Sequence, residues 1–151
     1  MKKILFLGIL LIYANTSAQD GEKYAVQKTI EAFFEGFHQQ DSIAIQETVA
    51  NEVVLQTIAK DSLGKDYVRT EDFSRFIKGI VGIPTSMKFQ ETIKSYSIQV
   101  DGPMANAWTA YEFHVNDKFS HCGVNSFQLV KQEDKWKIIY LIDTRRKDGC
   151  D

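Results

Sequence analysis

Chain breakers and reactive side chains are scarce in this sequence: its 151 residues include two prolines, two cysteines and three histidines. Pro84 and Pro103 both stand beside turns, and no Pro/Gly-rich linker, internal repeat or low-complexity tract divides the chain, so it reads as one domain. Two cysteines and three scattered histidines lack metal-ligand spacing, which argues against a zinc site. There is no G-x-S-x-G turn, no paired Cys/His nucleophile and no phosphate-binding glycine loop. The charge surplus is small, 18 basic against 20 acidic residues for a formal −2, so nucleic acid finds no basic surface to hold. None of these features calls for a metal or a cofactor.

The longest apolar run comes at the start. Met1-Lys-Lys precedes Ile4-Leu-Phe-Leu-Gly-Ile-Leu-Leu-Ile-Tyr-Ala14, which is short for a membrane span, and small residues follow at Asn15-Thr-Ser-Ala18. This pattern predicts a secretory signal over residues 1–18 with cleavage before Gln19. An amino-terminal anchor lacks the length, and no cysteine follows to carry a lipid. The expected product is exported to the periplasm or secreted, free of the membrane after cleavage. Removing 18 of 151 residues leaves 133, enough for one real core. Taking Lys2 and Lys3 from the 18 basic residues leaves 16 against 20 acidic, a charge of −4. Cys122 and Cys150 both fall in the exported part, where a disulfide can persist. With Cys122 opposite about Arg145, a tail folding back from Arg146 brings Cys150 alongside it.

Three consecutive antiparallel strands organise the rest, within Met104–Val115, Phe119–Val130 and Trp136–Asp143, because β-branched and aromatic residues alternate there with polar ones. The short link Gln132-Glu-Asp-Lys135 sets Lys131 opposite Trp136. Simple alternation then pairs Leu129 with Ile138, Phe127 with Tyr140 and Asn125 with Ile142. Upstream, apolar residues at Tyr24, Val26, Ile30, Phe33, Phe34 and Phe37 recur three or four apart and predict an amphipathic helix over 24–40. A second short helix follows Asp41-Ser42, with Ile45 and Val49 inward. Glu52–Ala59 reads as a strand, Asp61–Asp66 as a polar loop, Thr70–Val81 as a third helix capped by Thr70, and Lys88–Val100 as a long strand.

The helix Ile30-Glu-Ala-Phe-Phe-Glu-Gly-Phe-His-Gln-Gln-Asp41, the strand after it and the ending Phe127-Gln-Leu-Val-Lys-Gln-Glu-Asp-Lys-Trp-Lys-Ile138 resemble the nuclear transport factor 2-like superfamily, with its SnoaL-like, cystatin-like fold. Within it the chain looks most like exported bacterial proteins labelled as lumazine-binding. The resemblance covers the whole mature chain. It implies an α+β cone, a bent antiparallel sheet wrapped around a long N-terminal helix with two shorter helices, and a pocket at the open end. The superfamily holds isomerases, dehydratases, cyclases, ligand binders and adaptors, so the fold does not name a function. The implied partner is a small, aromatic or apolar ligand, with a homodimer through the sheet as a second association.

Polar residues that interrupt apolar faces are the pocket candidates, since a buried polar group needs a partner. His121 and Asn125 share a face with Phe127, and on simple alternation with Tyr140; each serves equally as a core hydrogen bond or a ligand contact. A two-residue Asn116-Asp117 turn puts Trp108 and His114 on that face, the favoured reading, whereas a three-residue turn puts Tyr111 and Phe113 there. His38 at the end of the first helix reads first as a cation on the helix dipole; the pocket mouth that the resemblance implies makes His38 and Asp41 candidates second, and Phe34 of the same helix is a lining candidate. Alternation places Asp143 and Arg145 on the face of Cys122 and Ile139, with Thr144 inward. That pair reads first as a strand-edge lock and second as an anion site. Were there catalysis, His121 or His38 would be the base, Asp41 its orienting group, and Tyr140 or Tyr111 the donor. No fixed enzyme motif joins these positions.

Overall fold

A computed structural model describes residues 2–150, with side chains described from residue 19 onward. The signal segment and its cleavage point fall where side chains lie outside the described residues. The elements are α1 (Lys2–Gln39), α2 (Ser42–Thr48), β1 (Val49–Lys60), β2 (Asp66–Glu71), α3 (Phe73–Val81), β3 (Phe89–Asp101), β4 (Met104–Val115), β5 (Lys118–Gln132) and β6 (Lys135–Asp143). The strands form one six-stranded sheet in the order β2-β1-β6-β5-β4-β3. Its pairings are antiparallel except β1 with β6, which is parallel, so the sheet is mixed rather than antiparallel throughout. The chain is an α+β cone, with α1 in the concavity of the curved sheet.

Local chemistry explains the element ends. Gln40 takes a positive φ of 55° and stops α1, and its side-chain amide donates to the Ile80 and Ile83 carbonyls, binding the end of α3. Asp41 caps α2 by accepting from the Ile43 and Ala44 amides. This is its whole observed role, and it does not reach the cavity. Asp72, not Thr70, caps α3 by accepting from the Arg75 amide, because residues 66–71 pair with β1 as a strand where a loop and a helix start were expected. Tyr24 is exposed rather than inward, whereas Val26, Ile30, Phe33 and Phe34 are buried. Phe33 and Phe34 set their rings edge-on to Phe127 at 6.5 and 6.1 Å, and Phe76 of α3 stacks on Phe33 and Phe37. At the other end Glu22 accepts from Lys131 Nζ and Trp136 Nε1, fastening α1 to the β5–β6 hairpin.

Three single-residue bulges in the antiparallel pairings decide which side chains of β3, β5 and β6 face inward, and β1 shifts register against β6 between Val49 and Val54. In β3 the extra residue is Lys94, in β5 Ser120 and in β6 Ile139, each reversing the alternation beyond it. The β4–β5 and β5–β6 turns are two-residue links with positive φ, at Asn116-Asp117 and Glu133-Asp134, and Lys131–Trp136 and Leu129–Ile138 pair as expected. Past Ile139, however, Tyr140 pairs with Gln128, Leu141 with Phe127 and Asp143 with Asn125. Tyr140, Ile142 and Thr144 therefore lie off the inner face, and Asp143 and Arg145 on it, the reverse of plain alternation. In β5 the Ser120 bulge does the same: the short turn is present, yet Phe113 and Tyr111, not His114 and Trp108, share the inner face with His121.

Candidate functional site

A cavity of about 370 Å³ opens between the helices and the inner face of the sheet. Phe33, Phe34, Phe37 and Phe76 wall it from the helices and Phe89 and Phe113 from the sheet. An apolar row, Leu55–Leu141–Phe127–Ala107, crosses the sheet beneath it. The next row is polar: Thr57, Asp143, Asn125 and Thr109 are successive partners on β1, β6, β5 and β4. Thr57, Thr109 and Asn125 are all buried. Four polar residues adjacent in register across a sheet are costly unless bonded to one another or to something in the cavity.

Glu91 enters this row from β3. Its Oε1 accepts from Asn125 Nδ2 at 2.7 Å, and the same amide lies 3.5 Å from Thr109 Oγ1. Burial raises the Glu91 carboxyl from 4.5 to about 8; the Asn125 bond opposes this, the Asp143 carboxylate adds to it and Arg145 offsets it. Around neutrality Glu91 is thus a carboxylic acid able to give up its proton just above physiological pH. The signal for it lay in the sequence, because Glu91 is in phase with Phe89 and Ile93 on the strand, an acid set in an apolar alternation.

On the other flank, Asp143 Oδ2 accepts from Arg145 Nε at 2.8 Å and lies 3.4 Å from the Tyr111 hydroxyl, which donates to the Thr144 carbonyl at 2.9 Å. Burial works to lower the Arg145 value, but Asp143, Tyr111 and Glu91 outweigh it and hold it raised. Burial first, then the Asp143 and Glu91 charges, push the Tyr111 phenol up. His121 stacks on Phe113 at 4.9 Å and meets Ser120 Oγ through Nδ1 at 3.1 Å. Burial, and secondarily Arg145, keep its pKa below the usual histidine value. Gly123 makes the arrangement possible, since a Cβ there would lie 1.8 Å from the Thr144 carbonyl and 2.8 Å from the Tyr111 ring. The Cys122–Cys150 disulfide, with Cα atoms 5.7 Å apart, ties down the tail beyond Arg145, and Cys122 pairs with Arg146, one residue from the expected partner.

Of the sequence candidates, Phe34, Tyr111, His121, Asn125 and Arg145 line the cavity together. Phe127 lies in the core under it. Trp108 is exposed, His114 packs on Phe119 beside the turn, and the Tyr140 hydroxyl donates to Gln56 Oε1 at 2.6 Å; none of the three lines the cavity, for the bulges turn them outward. His38 also lies outside it, with Nε2 accepting from the Glu91 backbone N–H at 2.8 Å. Asp143 lines the cavity although alternation placed it outward, and Glu91, Gln56, Thr57, Arg69 and Glu71 line it without having been singled out by periodicity; Thr109 is buried beside Asn125. Among the described residues no cluster of His, Cys, Asp and Glu is arranged to hold a metal.

No family model matches this chain, and no curated protein is similar to it. Solved structures are. An NTF2-like protein with a cystatin-like fold from Novosphingobium aromaticivorans aligns over 92% of this chain and 89% of its own at 14% identity, TM-score 0.65. A candidate dehydratase of the NTF2-like family from Streptomyces avermitilis covers 84% and 97% at 13% identity, TM-score 0.64. A candidate scytalone dehydratase from Novosphingobium aromaticivorans covers 87% and 88% at 11% identity, TM-score 0.69. At such identities the likeness is one of architecture, and this chain accordingly has the NTF2-like, cystatin-like fold.

Proposed function

We propose that this chain is an exported small-molecule-binding protein whose ligand is a flat, largely apolar body with one polar edge. The observation carrying the reading is the cavity itself: aromatic walls on one side and, on the other, a polar row through Asn125 and Asp143 that Glu91 joins, with Arg145, Arg69 and Glu71 at its flank. The leader pattern and the Cys122–Cys150 bridge support export. Calorimetric titration with flat heteroaromatic compounds, lumazine among them, tests it. Binding by wild type and its loss in a folded Leu141→Trp variant, which fills the cavity, is the expected result. Equal binding by both proteins would place the ligand elsewhere.

A second reading, favoured by Glu91, is a cofactor-free lyase or isomerase. In its ionised form, which gains population as pH approaches 8, the Glu91 carboxylate can take a proton from a substrate carbon and return it, while the Asn125 amide and the Arg145 guanidinium steady the negative charge that develops. The names of two structural neighbours, both candidate dehydratases, agree with this chemistry. Glu91→Gln should then bind ligand as wild type does and turn nothing over. Unchanged turnover in that variant would end the reading.

A further inference from the structure

We propose that His38 is a positioning residue for Glu91: its neutral imidazole, seated outside the cavity, holds the piece of edge strand from which the Glu91 side chain enters, and protonation of that imidazole releases the hold. The inference deepens the reading of Glu91 as the working polar group of the cavity and rests on it.

β3 is the last strand on its side of the sheet. An edge strand carries backbone N–H groups with no strand to receive them. One of these belongs to Glu91, and it is received by His38 Nε2 at 2.8 Å, across 53 residues of sequence. To accept, Nε2 must be without a proton, so the bond selects the neutral imidazole protonated at Nδ1. The ring is clamped between Phe34, stacked at 6.2 Å, and Phe37, edge-on at 5.6 Å, so its place is set by the same aromatic face of α1 that walls the cavity. A single residue therefore has its main chain fixed from outside by His38 and its carboxyl fixed from inside by Asn125. The Lys94 bulge lies three residues further along the strand, and edge pairing there is irregular, which makes the His38 contact the outer fastening of this stretch.

Protonation of Nε2 would turn an acceptor into a donor facing a donor. Burial already disfavours the cation. The clefts flanking the ring are lined by Glu31 and Glu35 of α1, Lys88 just before β3, Glu91 and Tyr96 of β3, and His114 and Asp117 of β4 and its turn; these carboxylates favour the cation, yet burial outweighs them. Among the described residues none forms an ion pair with His38. Acid therefore has a route to the cavity that does not pass through its mouth. It detaches the Glu91 backbone, and the carboxyl moves toward water.

Carbon-13 NMR of the glutamate carboxyls reads this without any ligand. In wild type Glu91 should titrate near 8. In His38→Phe, which keeps the stack but has no acceptor, its midpoint should fall by about one pH unit or more toward the ordinary range, and His38→Gln, which has an acceptor, should restore it. A midpoint unchanged in folded His38→Phe overturns the inference while leaving the proton-transfer reading intact. Ordinary titration of Glu91 in wild type would instead remove that reading and the inference with it. Should His38→Phe fail to fold, the Glu91 amide resonance of wild type is followed from neutral pH downward beside that of His38→Gln. An inflection present only in wild type supports the proposal, and identical curves overturn it.

Discussion

At the scale of single residues, the cavity is governed by groups whose environment opposes their charge. Glu91 is the clearest: its folded value, about 8, stands above its unfolded 4.5, so between those values the folded chain holds a proton that the unfolded chain has lost. Its contribution to stability is complete below 4.5 and is lost as pH rises through 8. Wild type should therefore lose melting temperature between about pH 6 and pH 9, and Glu91→Gln should lose clearly less, as read by calorimetry at both pH values. Parallel curves would mean that Glu91 is hydrated. His38 runs the other way: its value is depressed, so its contribution is present above 6.5 and falls away as pH drops through its folded value. Gly123 shows a steric demand in place of an electrostatic one. Gly123→Ala places a methyl against the Thr144 carbonyl and should destabilise by about 1 to 3 kcal/mol in denaturant titrations, with Tyr111 and the tail displaced. A neutral effect would show that the tail moves freely.

At the scale of elements, α1 and the β5–β6 hairpin make one packing unit. Phe34 is buried, edge-on to Phe33, Phe37 and Phe127, and stacked on the His38 ring. Phe34→Ala should cost about 3 to 5 kcal/mol, because a cavity opens where four rings converge. A loss below about 1 kcal/mol, measured by urea unfolding, would mean that the helix turns another face to the sheet. The variant also removes one side of the clamp on His38, so the Glu91 titration should shift with it. Each strand's inward set was legible up to its bulge and reversed beyond it. Ser120 and Ile139 carry no local mark of being extra residues; they are extra because the sheet must bend around α1, and a bulge supplies the bend.

At the scale of the whole molecule, the Cys122–Cys150 bridge closes a span of 28 residues and secures the segment that brings Asp143 and Arg145 to the cavity. Cys150→Ser should cost about 2 to 4 kcal/mol in thermal or denaturant unfolding. It should also weaken any ligand that contacts Arg145 more than one confined to the aromatic walls. Equal affinities for both would make the bridge a matter of stability alone. Intact mass of the exported protein should correspond to a chain beginning at Gln19 with the two thiols joined; a retained leader or two free thiols would contradict the export reading.

What the amino-acid sequence determined by itself was whatever depends on near neighbours along the chain. The apolar stripe of α1, the start of α2 after Asp41-Ser42, the two-residue turns and the pairings next to them follow from periodicity and turn chemistry, and these act over a few residues. That a helix covers the sheet was legible from its apolar face, while the cone itself was implied by the resemblance to the nuclear transport factor 2-like superfamily. Only the tertiary structure decided which side chains meet inside. A one-residue shift exchanges the two faces of a strand, and the shifts at Lys94, Ser120 and Ile139 answer to curvature imposed from across the molecule. That is why Trp108, His114 and Tyr140 left the cavity, Tyr111 and Asp143 came into it, and Glu91 met both Asn125 on the inside and His38 on the outside.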